Sequence, residues 1–159
     1  MRIKRIMRVS EKLIKKLMEF EGLRLEAYQD AAGVPTIGYG HTGNVRMGDR
    51  ISEYWAKDLL LRDIAMAEEA VEALEVVRTQ GQLDALVSFV FNLGIDRLKS
   101  STLLKVIRQG GTMRQIRREF MRWVHVGGRP LAGLQKRRAW EAQRFFDPDC
   151  DNFYFENID

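Results

Sequence analysis

The sequence contains a single cysteine, Cys150, and two histidines, His41 and His125. A lone cysteine excludes an internal disulfide, so the fold needs no oxidising compartment. One thiol and two imidazoles are too few for a zinc site of the usual composition, and no metal is expected. Cys150 reads as a bystander near the chain end. No apolar run is long enough to span a membrane. The N-terminal MRIKRIMRVS has the basic residues of a signal peptide, but SEKLIKK stands where the apolar run would follow. The expectation is a chain with no route of its own across a membrane. Internal repeats and low-complexity stretches are also missing.

What is present suits one domain of ordinary size with a real core: 159 residues, 45% hydrophobic and 30% charged. The net charge of +4 favours anionic partners such as nucleic acid, a membrane surface or an acidic wall polymer, without choosing among them.

Hydrophobic spacing and caps divide the chain. Ser10 is a fitting N-cap for a helix to about Phe20 or Glu21, carried by Leu13, Ile14 and Leu17 and ended by Gly22. Residues 23–41 become short, alternating and glycine-rich, as in a small β-hairpin with Asp30 to Gly33 as its turn. Gly38, Gly40, Gly43 and Gly48 mark loops or close backbone approaches. Ser52 opens a long helix to about Val76, with Leu59, Ile64, Val71 and Leu74 on its apolar stripe. Thr79 with Gln82 has the spacing of a capping box. The helix that follows is apolar on nearly all sides, belongs at the centre of the core, and is closed by Gly94. Further helices are expected from Ser100 or Ser101 to about Gln109, from Thr112 (a second capping box, with Gln115) to about Trp123, and from about Leu134 to Phe146. HVGGRPLAG between the last two reads as a loop. The expected class is α+β, mostly helical, in one domain: a hairpin lobe over about 10–52, a connecting helix over 53–76, a helical lobe over 77–146 and an acidic tail over 147–159.

Three residues stand out chemically. Glu21 falls on the apolar face of its helix, four residues after Leu17, and at the end where the macrodipole disfavours negative charge. Both effects favour the protonated carboxyl that leaving-group protonation requires, while a nearby arginine would oppose them. Asp30 opens a turn, where Asp commonly accepts backbone N–H bonds. The same bonds would keep it ionised, as a water-activating base must be. Thr36 is a β-branched strand residue whose hydroxyl, near Asp30, could help hold a water.

Together these residues form Glu-x8-Asp-x5-Thr within EGLRLxxYxDxxGxxTIGxGH, which resembles the catalytic signature of the phage lysozyme (endolysin) family. ALVSFVFNLG (85–94), STLL (101–104) and the Trp123…Gly-Gly…Gly-Leu…Arg-Arg…Glu141 run resemble later blocks of its lambda-like branch, so the resemblance covers about residues 10–146. It implies the phage-type lysozyme fold and hydrolysis of the β-1,4 bond between N-acetylmuramic acid and N-acetylglucosamine in peptidoglycan. Glu21 would be the general acid. Asp30 and Thr36 would position and activate water for an inverting attack, without metal or organic cofactor. The resemblance further implies that His41 pairs structurally with Asp63. It places Thr42, Phe91 and Ser101 at substrate contacts. An arginine of the last helix, Arg137 in preference to Arg138, would approach Glu21 across the cleft. It also implies a monomer that accumulates in the host cytoplasm until a holin releases it to the wall.

Three other readings stay open on the residues. A lytic transglycosylase would keep Glu21 but have little need of Asp30 and Thr36. A non-catalytic wall-binding module has no reason to retain all three. A nucleic-acid binder fits the charge but lacks any recognisable motif, so no nucleic-acid partner is expected. The arginines Arg114, Arg117, Arg118 and Arg122 read as a solvated helix face.

Overall fold

The computed structural model describes residues 7–147. Cys150, Pro148 and the aromatic residues of the tail lie outside the described residues. Helix α1 (Glu11–Glu21) begins where the Ser10 hydroxyl accepts the Leu13 N–H and ends where the Gly22 N–H reaches Met18 O. Its Leu13 and Leu17 are fully buried. Strands β1 (Arg24–Gln29) and β2 (Pro35–Gly38) pair antiparallel, with Tyr28 opposite Thr36 and Gln29 opposite Pro35. The segment at Asp49–Ile51 covers part of β1 through Ala27 N–H to Asp49 O and Ile51 N–H to Leu25 O, each 2.9 Å.

Helix α2 (Glu53–Glu72) is capped by Ser52 and, with 20 residues, is about 30 Å long, enough to join two lobes. Its buried stripe is Ala56, Leu60, Ile64, Ala67 and Val71. Leu59 is half-buried beside that stripe, and Leu74 lies beyond the helix end. The helix stops short of the expected Val76. Leu74 and Glu75 donate to Val71 and Glu72, tightening the last turn. Glu75 then takes φ 57°, a conformation no right-handed helix continues through. This turn lets Leu74, Val76 and Val77 pack on the core.

Helix α3 (Gln80–Leu93) is the central helix, buried continuously from Leu83 to Val90. Thr79 caps it, but the Gln82 side chain accepts from Arg78 N–H rather than completing a box with Thr79. Around it stand α4 (Ile95–Lys99), α5 (Thr102–Arg108), α6 (Met113–Phe120) and α7 (Ala132–Phe145). At Thr112 and Gln115 the capping box is complete. Helix α4 was not expected, because one turn is too short to show a period. Helix α6 ends before the expected Trp123. There Arg122 and Trp123 donate three residues back, and the Trp123 ring packs edge-on to Phe89, 5.5 Å between centroids. The expected loop after Trp123 holds a second small hairpin, β3 (His125–Val126) and β4 (Arg129–Pro130). Its turn is Gly127-Gly128, both at positive φ, the Gly-Gly signal of a two-residue hairpin.

The core runs continuously through α1, α2, α3, α5, α6 and α7, with Leu86, Phe89, Leu103, Phe120 and Phe145 among its members. Each fully buried Leu or Phe there contributes about 1.5–3 kcal/mol. The architecture is a mostly helical α+β fold: a hairpin lobe, the long connecting helix α2 and a helical C-terminal lobe built around α3. Among the described residues no helix is long and apolar enough to cross a membrane.

Candidate active site

Glu21 is the last residue of α1, so its side chain leaves the helix at the junction with the hairpin lobe. One oxygen, Oε1, accepts from Arg137 Nη1 of α7 at 2.6 Å. The other, Oε2, lies over Gly40, where a Cβ would come within 2.5 Å of it. Gly40 sits in a short loop closed by paired 2.9 Å bonds between the Ile37 and His41 backbones, with Gly38 and Gly40 at φ 65° and 73°. The loop thus carries backbone alone beneath the carboxyl, and no side chain fits there without moving it.

His41 closes this loop and ties it to α2. Its Nδ1 is 2.7 Å from Asp63 Oδ2, and its Nε2 is 2.9 Å from Gly43 O. A carboxylate and a carbonyl, both acceptors, therefore fix the ring on two sides. Gly40, His41, Thr42, Asp63, Val90 and Phe91 lie along one cleft of about 540 Å³ between the hairpin loop and helices α2 and α3. Thr42 is exposed and Phe91 half-buried at that cleft.

Asp30 is held by its own turn. Ala32 N–H and Val34 N–H both donate to Oδ1 at 2.8 Å, which leaves Oδ2 without a donor among the described residues. Gly33 N–H closes the turn onto Asp30 O at 2.9 Å. Thr36 is 3% exposed, and its hydroxyl donates to Val34 O at 2.9 Å. Its proton is thus used within the turn that carries Asp30, and only its acceptor lone pairs are left for a water.

Ser101 is placed apart from Phe91 and Thr42. It caps α5, accepting from Leu104 N–H at 3.0 Å and donating to Leu98 O at 2.7 Å. It borders a separate depression of about 310 Å³ with Glu119, Arg122 and Trp123.

Arg137 is 4% exposed. Besides Glu21 it donates to Ser88 O at 3.0 Å, and its guanidinium lies 5.2 Å from the Phe20 ring and 5.9 Å from the Phe91 ring. Arg138 faces the core instead, bound to Asn92 Oδ1 and 5.0 Å from the Phe89 ring. Glu141 is fully buried between the two arginines, and Ser88 Oγ donates to its Oε1 at 2.7 Å. Burial pushes the Glu141 carboxyl up, against the opposing pull of Arg138 and Arg137. Burial also brings Arg138 down to about 10.

Among the described residues no group of three or more His, Cys, Asp or Glu side chains is arranged to hold a metal ion. The family model described as phage lysozyme matches residues 18–141. The chain belongs to the phage lysozyme family. It is accordingly a hydrolase, of the glycosidase class. An endolysin of Acyrthosiphon pisum secondary endosymbiont phage 1 is 42% identical over 144 residues, spanning 87% of this chain and 98% of that relative. The structure of an endolysin from Escherichia coli O157:H7 phage FAHEc1 superposes with TM-score 0.76 at 36% identity, covering 89% of this chain and 94% of the other. The muramidase domain of SpmX from Asticaccaulis excentricus superposes with TM-score 0.78 at 35% identity, covering 90% of this chain and all of the other.

Within this phage lysozyme site, sequence reasoning missed the partners that hold Arg137. Glu141 was legible only as part of the family block, although its spacing of four and three from Arg137 and Arg138 is that of helical ion pairs. Ser88 offered a weaker signal, a lone hydroxyl in a helix otherwise apolar on nearly all sides. Gly40 was legible as a close approach, but nothing in the sequence named Glu21 as the group approached.

Proposed function

We propose that this protein hydrolyses the β-1,4 bond between N-acetylmuramic acid and N-acetylglucosamine in peptidoglycan. The observation that carries this reading is Glu21, fixed at Oε1 by Arg137 and set against side-chain-free backbone at Gly40 on the cleft. A carboxyl so placed is a general acid for the leaving sugar oxygen. Asp30 and Thr36 take the water. Asp30 Oδ1 is occupied by backbone donors, so Oδ2 accepts the water proton as the oxygen attacks the anomeric carbon. Thr36 adds an acceptor beside it. One water is consumed, one C–O bond breaks and one forms; solvent exchange then restores the proton Glu21 gave up and removes the proton Asp30 took. Attack by a separately held water inverts the anomeric centre, which calls for carboxyl groups roughly 6.5–9.5 Å apart.

Thr42 and Phe91 are substrate contacts along the cleft in this reading, and Ser101 is a contact at the neighbouring depression. His41 with Asp63 is structural. Action as a monomer, accumulation in the host cytoplasm and release by a holin belong to the same proposal.

The test is turbidity loss of outer-membrane-stripped Gram-negative walls, with mass spectrometry of the products. Wild type is expected to clear the walls and release muropeptides with reducing ends. Folded Glu21→Gln is expected to lose on the order of 10²–10⁴-fold in rate. Anhydro products would instead make the protein a transglycosylase. No clearing by folded wild type would leave a wall-binding role.

A further inference from the structure

We propose that Glu141 is a positioning residue for the acid Glu21, sharing the Arg137 guanidinium with it across the junction of α1, α3 and α7. The inference rests on Glu21 being the acid of the proposed reaction.

Three features of the site lead to it. First, Glu141 is fully buried yet carries a carboxyl, a costly placement unless its neighbours hold it. Second, those neighbours are the residues that hold Glu21. Arg137 Nε is 3.5 Å from Glu141 Oε1 while Arg137 Nη1 is 2.6 Å from Glu21 Oε1. Ser88 donates its hydroxyl to Glu141 and offers its carbonyl to Arg137. Arg138 Nη1 completes the set, 3.1 Å from Glu141 Oε2. Third, Glu141 is closed to solvent, so it cannot touch a polysaccharide and must act through Arg137.

The charges facing Arg137 are few among the described residues. Helix α1 contributes Glu21, α7 contributes Arg138 and Glu141, and α3 contributes only neutral Ser88. When Glu21 carries its catalytic proton, Glu141 is the remaining anion against Arg137. Remove that anion and the whole guanidinium charge turns on Glu21. It then favours the Glu21 carboxylate over the acid, and the working proton is lost at lower pH.

The decisive measurement is the pH profile of wall hydrolysis by Glu141→Gln, with kcat and KM separated and melting temperature recorded. The alkaline limb is expected to move about one unit toward acid. Near neutral pH kcat should fall roughly tenfold, with KM within about twofold. Ser88→Ala, which keeps the charge but removes the hydroxyl from Oε1, should shift the limb the same way by less. It decides the matter if Glu141→Gln does not fold. A lower melting temperature with an unmoved limb would give Glu141 a purely structural role and overturn the inference. Wild type and Glu21→Gln run alongside. If wild type fails to clear walls, the functional reading falls and this inference with it. If wild type clears but the limb stays put in the folded variants, only this inference falls.

Discussion

The two halves of the site are held by different physics. On the hairpin side, Asp30 and Thr36 are fixed by bonds spanning two to four residues: Ala32 and Val34 N–H to Asp30, and Thr36 to Val34 O. The whole device is a turn whose tip is exposed, with Asp30 half-buried and Thr36 buried behind it. On the helical side, Arg137 reaches Glu21 from 116 residues away, and Glu141 reaches Ser88 from 53. Arg137, Glu141 and Ser88 are nearly or wholly shut from water, where a charge is tolerable only when well partnered, while Glu21 stays partly open. The water-handling half is thus built by local chain geometry. The proton-donating half is built by tertiary packing of α1, α3 and α7. Disturbing the first should change chemistry with little effect on the fold, whereas the second cannot be disturbed so cleanly.

The sharpest way to break this contrast is Asp30→Asn. The amide oxygen can still accept from Ala32 and Val34, so the turn should survive while the base is lost. The expected result is a rate loss on the order of 10²–10⁴-fold with a melting temperature close to wild type. A variant that melts much earlier would show that the carboxylate charge, not only the turn bonds, holds the hairpin.

Next comes Gly40→Ala, which sits where the halves meet. The added methyl would land 2.5 Å from Glu21 Oε2, at a residue with φ 73°. Either the loop or the carboxyl must shift. A misplacement near 1 Å at a catalytic group costs about 10²-fold in rate, and kcat should carry that loss. Retained full activity would mean that the loop yields instead of Glu21.

This difference in construction also explains what the sequence reveals. The caps at Ser10, Ser52, Thr112 and Gly22, and the turn at Asp30 to Gly33, follow from neighbours within four residues, and the structure places them where the sequence does. The alternation of lobes and helices follows from hydrophobic period in the same way. Helix ends set by tertiary pull escaped. Trp123 leaves α6 to meet Phe89, and Leu74 leaves α2 to reach the core, although both continue a helical pattern in sequence. The Arg137–Glu21 contact was reached only through family resemblance, since no local rule links an α7 arginine to the end of α1. Glu141 and Ser88 escaped as a pair because the period of α3 shows burial but not which helix lies opposite.

His41→Asn probes the tie between the hairpin lobe and α2. Both ring contacts, to Asp63 and to Gly43 O, would be lost or lengthened. A hydrogen bond to a charged group is worth about 1.5–3 kcal/mol. The expected outcome is a destabilisation of that order, read by denaturant or thermal unfolding, with turnover of the folded fraction reduced only a few-fold. A severe loss of turnover in a fully folded variant would move His41 from the scaffold into the chemistry.

The smallest effect should come from Gly33→Ala, in the turn that carries Asp30. Gly33 has φ 79° like its counterpart at position 40, but nothing lies within 4 Å of where its Cβ would stand. Only backbone strain opposes the change, about 1 kcal/mol. Asp30 keeps both of its Oδ1 donors, because they come from Ala32 and Val34 rather than from residue 33. Wall hydrolysis should therefore stay near the wild-type rate, with a modest fall in melting temperature. Set beside Gly40→Ala, the pair separates strain from collision: similar φ values, one methyl each, and a rate penalty only where the methyl meets Glu21. Equal rate losses in both variants would mean that hairpin strain alone reaches the catalytic carboxyl, and that the two halves of the site are more tightly coupled than their separate hydrogen bonds indicate.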